Sequence, residues 1–376
     1  MPTSLPRRPL LAALAATPLL AAVDAHAQGP LVNIEKRIFK MKELRLESGA
    51  VLPDVAIAYE TYGTLAADGR NAVLLTHGYT SSQHMAGRSA ASGAEGSWDG
   101  LVGPGKAIDT DRLFVVSSNM LGSSYGSTNP AQVNPKTGKP YGPEFPAISL
   151  VDIVNAQKAL LDGLGVKHLV AVAGPSFGGY QAFQWGVTYP DFMDGLVVVV
   201  SAPKGSGGEA AVKALVDVLA KDPNWNGGNY YDNGGITKVL TDMRVATLKR
   251  YGIDEQLAAQ FPDKAAREAE IVKRAETWSK VFDGNSLVVL RRASVNFDAE
   301  KDFVRIKAKV LYVLSRTDKL FPPSIAPGVM EKLKAAGVSA DYFEIDSDFG
   351  HSASGLDAAK WAPRLKAFMA SLEKRS

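Results

Sequence analysis

A serine hydroxyl becomes a nucleophile only when a base removes its proton, and histidine, which titrates near neutrality, is the side chain best suited to that task. Two serines sit in G-x-S-x-G patterns, Ser124 between Gly122 and Gly126, and Ser176 between Gly174 and Gly178. The pattern suits a nucleophile because it sets the serine on a tight strand-to-helix turn where neighbouring side chains would collide. Flanking residues separate the two copies. Ser124 leads into "GSTNPAQVNP", whose prolines and asparagines cannot start a helix. Ser176 follows the apolar "HLVAVAG" and precedes "FGGYQAFQWGVTYP", which is compatible with a helix. Only Ser176 has strand, turn and helix in order.

Five histidines can be tested as the base. His26 lies in an N-terminal leader, and His168 opens the strand that ends at Ser176, so it stands at the wrong end of that strand. His77 and His84 lie in or after an earlier strand-to-loop junction. His351, in "DFGHSASG", sits on a loop before the last helix. Serine enzymes built on this turn run nucleophile, acid, histidine along the chain, and only His351 follows Ser176. The acid is then expected past the end of an intervening strand. "KVLYVLSRTDKLFPP" offers Asp318 there, with Asp346 and Asp348 as competitors that are too close to His351 to come from a separate strand. Its task is to hold the imidazole in one tautomer and stabilise the imidazolium. Donors for the developing oxyanion are expected from the backbone N–H of Phe177 and, in "LLTHGYTSS", from that of Tyr79.

These residues need a scaffold that brings strand ends together. "NAVLLTHG", "RLFVVSSNML", "HLVAVAG", "GLVVVVSA" and "KVLYVLS" are apolar without alternation, as strands covered on both faces are. Helical patterns between several of them predict a mostly parallel α/β sheet with right-handed crossovers. "RIFKMKELRLESG" and "VLPDVAIAYETYG" alternate, as two extended strands meeting at a turn. From 204 to 302 the pattern turns helical and charged. This predicts a cap inserted into a core made of 28–203 and 303–376, covering the strand ends where open α/β sheets bind ligands.

Residues 1–27 carry Arg7 and Arg8, an apolar run of about fifteen residues and the triplet Ala25, His26, Ala27, which reads as a cleavable secretory signal, with a twin-arginine route allowed. The expectation is a periplasmic or secreted protein, with no membrane attachment once the signal is removed. Net charge is +3 without long runs of one sign, which argues against nucleic acid. The chain has no cysteine, so disulfides, thiol nucleophiles and cysteine-held metals are excluded. The triad needs neither metal nor cofactor.

"WDGLVGPGKAIDTDRLFVVSSNMLGSSYGSTNP", "NPKTGKPYGPEFPAISLVDIVNAQKALLDGLG" and "DPNWNGGNYY" resemble the homoserine O-acetyltransferase branch of the α/β-hydrolase superfamily over roughly residues 50 to 370. The resemblance implies an α/β-hydrolase fold of about eight strands with helices on both faces, a helical cap, and a Ser-Asp-His triad at Ser176, Asp318 and His351. It also implies ping-pong transfer of acetyl from coenzyme A to the serine and on to homoserine. Two positions depart from the pattern: Ser352 stands where the family's ammonium-binding aspartate follows the histidine, and Val216, beside Asp217, stands where an arginine for the substrate carboxylate is expected. On these grounds, and because of the signal, the first expectation is an exported serine esterase that cleaves a small carboxylic ester. Acyl transfer to an alcohol is the alternative, and a binding protein on a retired hydrolase fold a third reading. Assembly into a homodimer is left open.

Overall fold

The computed structural model describes residues 29–372. The proposed signal at 1–27 lies outside them. Ten strands form: β1 (Arg37–Arg45), β2 (Val51–Tyr62), β3 (Ala72–Thr76), β4 (Val102–Gly103), β5 (Ile108–Asp109), β6 (Phe114–Ser118), β7 (Leu169–Pro175), β8 (Met193–Val199), β9 (Lys309–Ser315) and β10 (Ala340–Ile345). Eight of them make one sheet in the order β1-β2-β6-β3-β7-β8-β9-β10, while β4 and β5 pair separately. β1, β2 and β6 pair antiparallel, and from β6 to β10 every pairing is parallel.

Burial follows the sequence pattern. β3 is buried at every residue, as an unbroken "AVLLT" requires, whereas the alternating β1 is largely exposed at the sheet edge. "ADYFEI" forms the other edge strand, β10, whose side chains are mostly half-buried or exposed.

Helices cover both faces. On one side lie α1 (Leu150–Gly163), α2 (Phe177–Thr188) and α8 (Ala326–Ala335), whose Ile153, Leu160, Phe183 and Leu333 share a cluster with Leu74, Val172 and Val198 of the sheet. On the other, α10 (Ala358–Leu372) places Trp361, Leu365 and Phe368 against Val197, Val199 and Val313, with the short α9 (Ala353–Leu356) leading into it. Burying such a side chain stabilises the fold by about 1.5–3 kcal/mol each. α1 starts with a capping box between Ser149 and Asp152, which satisfies two helix-end N–H groups.

Between β8 and β9 the chain leaves the sheet and forms α3 (Gly208–Leu219), α4 (Thr237–Arg250), α5 (Ile253–Leu257), α6 (Lys264–Ser279) and α7 (Gly284–Val295). α3 packs on α7 and α4 on α6, around an apolar cluster of their own that includes Val212, Trp225, Leu240, Trp278, Phe282 and Leu287.

Candidate active site

Parallel strands end on the same edge of a sheet, so the register decides what meets there. Pro175 pairs with Val199, Val199 with Val313, and Ser315 with Ile345. Residues just past these ends, Ser176, Asp318 and His351, are therefore delivered to one rim. A cavity of about 260 Å³ opens there, lined by Ser176 and His351 together with Gly78, Tyr79, Trp98 and Tyr251.

Ser176 has φ 57° and ψ −120°, a conformation that costs a non-glycine residue on the order of 1–3 kcal/mol. The surroundings enforce it. Its N–H donates to Val199 O at 2.8 Å, and its carbonyl accepts from Ser201 Oγ at 2.7 Å. A Cβ at Gly174 would stand 2.3 Å from Thr76 O, and one at Gly178 would stand 2.1 Å from the same atom. Both glycines of the motif are thus required by the backbone at the end of β3, which passes directly against the turn.

Asp318 is buried just past β9. Its Oδ1 accepts from the Leu320 N–H at 2.8 Å, and its Oδ2 accepts a hydrogen bond from Nδ1–H of buried His351 at 2.8 Å. With Nδ1 committed in this way, Nε2 is the nitrogen left for a hydroxyl. The ring is held between Tyr251, 4.8 Å away, and Phe321, 5.7 Å away. The loop is tied to β9 by Thr317, whose Oγ1 donates to Ser347 O and accepts from the Gly350 N–H. Asp346 and Asp348 are exposed and pair with Arg316 at 2.6 and 2.7 Å, so neither reaches the imidazole.

Phe177 is the first residue of α2, and Tyr79 lies in the turn after β3. Among the described residues neither N–H meets a protein acceptor, which leaves both free for an oxyanion. Their rings stack at 6.0 Å, locking the two segments together.

The remaining histidines have other work. His77 is buried, donates from Nδ1 to Gly78 O at 2.8 Å, and accepts the Met120 N–H on Nε2 at 3.2 Å. Burial lowers its pKa to about 4, so it stays neutral. His84 bonds buried Glu60, which raises its pKa, and His168 lies 2.9 Å from Asp194. Ser124 accepts the Asp283 N–H at 2.9 Å, which anchors the start of α7 and explains that motif without chemistry. Among the described residues no three His, Asp or Glu side chains are placed to hold a metal ion.

Val216, the position at which the family resemblance expects an arginine for the substrate carboxylate, carries no charge. Arg244 of α4 reaches Thr80, which lines the cavity. Its Nη1 donates to Thr80 Oγ1 at 2.7 Å, its guanidinium lies 5.0 Å over the Trp278 ring, and its buried Nε has no partner. No carboxylate pairs with it among the described residues, and burial pushes its pKa down, with nearby Tyr251 and Tyr125 acting the other way. A buried guanidinium N–H without an acceptor is costly, and a carboxylate is the acceptor that suits it best.

Comparison with known proteins decides the family. Residues 71–358 match the α/β-hydrolase fold family. The homoserine O-acetyltransferase of Haemophilus influenzae is 38% identical over 348 residues, covering 88% of this chain and 96% of that one. The chain belongs to the homoserine O-acetyltransferase family of α/β-hydrolase-fold enzymes. Within the same family, the homoserine O-succinyltransferase of Methylibium petroleiphilum is 38% identical over 354 residues, covering 87% and 91% of the two chains. Among solved structures, esterase E22 superposes with a TM-score of 0.82 at 30% identity, over 89% of this chain and all of that one. The homoserine O-acetyltransferase from Bacillus anthracis gives 0.81 at 28% identity, over 89% and 97%. The sequence similarity to O-acyltransferases along most of the chain overturns the expectation of an exported ester hydrolase. It backs the alternative, transfer of an acyl group to an alcohol.

Proposed function

We propose that this enzyme transfers an acetyl or related acyl group to the hydroxyl of a small acceptor that bears a carboxylate. Ser176 Oγ attacks the acyl carbonyl of a thioester donor and passes its proton to His351 Nε2, and the oxyanion is taken by the N–H groups of Tyr79 and Phe177. Each such donor is worth about 2.7–4 kcal/mol to the transition state. The tetrahedral intermediate collapses, the C–S bond breaks, and the departing thiolate takes the proton from His351. The acceptor hydroxyl then attacks the acyl-Ser176 ester while giving its proton to His351, which returns it to Ser176 Oγ as the new ester leaves. Asp318 keeps the imidazole in the tautomer that both halves require.

The observation that carries this reading is Arg244, which pairs with no carboxylate among the described residues, donates to the cavity-lining Thr80 and leaves its buried Nε without a hydrogen-bond partner. Attack by water gives that charge nothing to bind, whereas a carboxylate-bearing acceptor satisfies it with a charge-assisted hydrogen bond. The homoserine O-acetyltransferase and O-succinyltransferase relatives, which act on an amino acid that carries a carboxylate, support the same direction.

The test is to supply acetyl-coenzyme A with a hydroxy-carboxylate acceptor and follow ester product by mass spectrometry. Ester formation, lost in Ser176→Ala, is expected. Arg244→Leu is expected to raise the acceptor KM at least tenfold relative to butan-1-ol measured in the same variant. Acetate as the sole product, at any acceptor concentration, would contradict the proposal.

A further inference from the structure

The turn that carries the Tyr79 N–H is held from two sides. From the core, Gln181 Nε2 of α2 donates to His77 O at 3.1 Å, and the Ser81 N–H closes the turn on Gly78 O at 3.1 Å. From the cap, three helices reach it. The Tyr79 hydroxyl donates to Leu287 O of α7, Trp278 Nε1 of α6 donates to Thr80 O at 3.2 Å, and Arg244 Nη1 of α4 donates to Thr80 Oγ1 at 2.7 Å.

The Tyr79 ring joins the two layers as well. It packs against the sheet cluster that contains Phe177 and against the cap cluster that contains Trp278 and Leu287. Its plane lies within 10° of the Phe177 ring, so the side chain that reaches the cap also rests on the residue that supplies the second donor. The turn touches the nucleophile directly: a Cβ placed on Gly78 would stand 3.7 Å from Ser176 Cβ.

An oxyanion donor works only within about 2.7–3.1 Å of the place the charge will take, and a misplacement of about 1 Å can cost about a hundredfold in rate. A turn keeps such a position through whatever its side chains and carbonyls are tied to. Here those ties run into α6 and α7 of the cap.

Resting on the assignment of the Tyr79 N–H as an oxyanion donor in the reading above, we propose that the Tyr79 hydroxyl and the Trp278 indole are positioning groups. They fasten the oxyanion turn to the cap, so that the donor is in place only while α6 and α7 are docked on the core.

Tyr79→Phe keeps the ring on Phe177 and removes only the hydroxyl, while Trp278→Phe keeps a ring against Phe282 and removes the N–H donor. Arg244 is left intact, because changing it would also disturb acceptor binding. Turnover of p-nitrophenyl acetate follows the acyl-enzyme without any acceptor. Each variant is expected to lower kcat at least tenfold, short of the hundredfold to thousandfold that follows complete loss of a donor. KM is expected within threefold of wild type and the melting temperature within a few degrees. The double variant is expected to lose less than the product of the two single losses, since both release the same turn. A kcat within twofold of wild type in Tyr79→Phe, or a raised KM with kcat unchanged, overturns the inference. The acyl-transfer reading is separable: a wild type that makes only acetate from acetyl-coenzyme A and acceptor, with these losses present, sinks acyl transfer and leaves the positioning role standing.

Discussion

His77 directly precedes Gly78 and Tyr79 and is fixed as a neutral, doubly bonded imidazole, so acid should act on the oxyanion loop through this residue. Its folded pKa is about 4 against 6.5 in the unfolded chain, with burial as the main cause. Because the folded value is the lower one, the unfolded state binds the proton first, and stability is fully present above pH 6.5 and falls as pH drops toward 4. For pKa values of 6.5 and about 4, linkage gives a loss of about 2 kcal/mol between pH 7.5 and pH 5. His84 works in the opposite sense: its raised pKa, caused first by its hydrogen bond to Glu60, gives stability that is present at low pH and lost as pH rises. Urea unfolding of wild type and His77→Gln at the two pH values isolates the first contribution, since glutamine can give and take the same two hydrogen bonds without titrating. The wild type is expected to lose about 2 kcal/mol more than the variant over this interval. Equal losses in both proteins, or an NMR titration of His77 near 6.5 in the folded state, would refute the reasoning.

Two further outcomes follow from the geometry. Gly178→Ala places a methyl 2.1 Å from Thr76 O, where no side chain can yield, and is expected to cost more than about 3 kcal/mol in urea unfolding and to abolish acylation. Asp318→Asn leaves the packing of the buried pair in place but lets the imidazole take the wrong tautomer. It is expected to lower kcat by about ten-thousandfold with a melting temperature within a few degrees of wild type.

The parts of this protein legible in the sequence are those set by local pattern. Unbroken apolar runs such as "AVLLT" mark doubly covered strands, and the glycines around Ser176 mark a turn pressed against Thr76, although the pressing atom lies 98 or more residues from either glycine in the chain. Chain order was enough to nominate Asp318 and His351, and the fold brings that pair into contact. β10 was harder to read because an edge strand is half exposed and loses the apolar run that identifies a central one. Arg244 was not legible at all. It is one of 42 basic residues, on a helix whose other charges face solvent, and only the packing of Thr80 and Trp278 around it leaves its Nε buried without a hydrogen-bond partner. The expectation of hydrolysis rested on Ser352, on Val216 and on the N-terminal signal, and the similarity to O-acyltransferases along most of the chain overturns it.

The account stands on Ser176 as the atom that carries the acyl group. The most direct measurement is to quench the enzyme with acetyl-coenzyme A in the absence of acceptor and map the added acetyl mass by peptide mass spectrometry. The account predicts the adduct on the peptide containing Ser176, lost in Ser176→Ala and discharged by a hydroxy-acid acceptor. An adduct on the Ser124 peptide, or a product ester formed without any acylated Ser176, would contradict it.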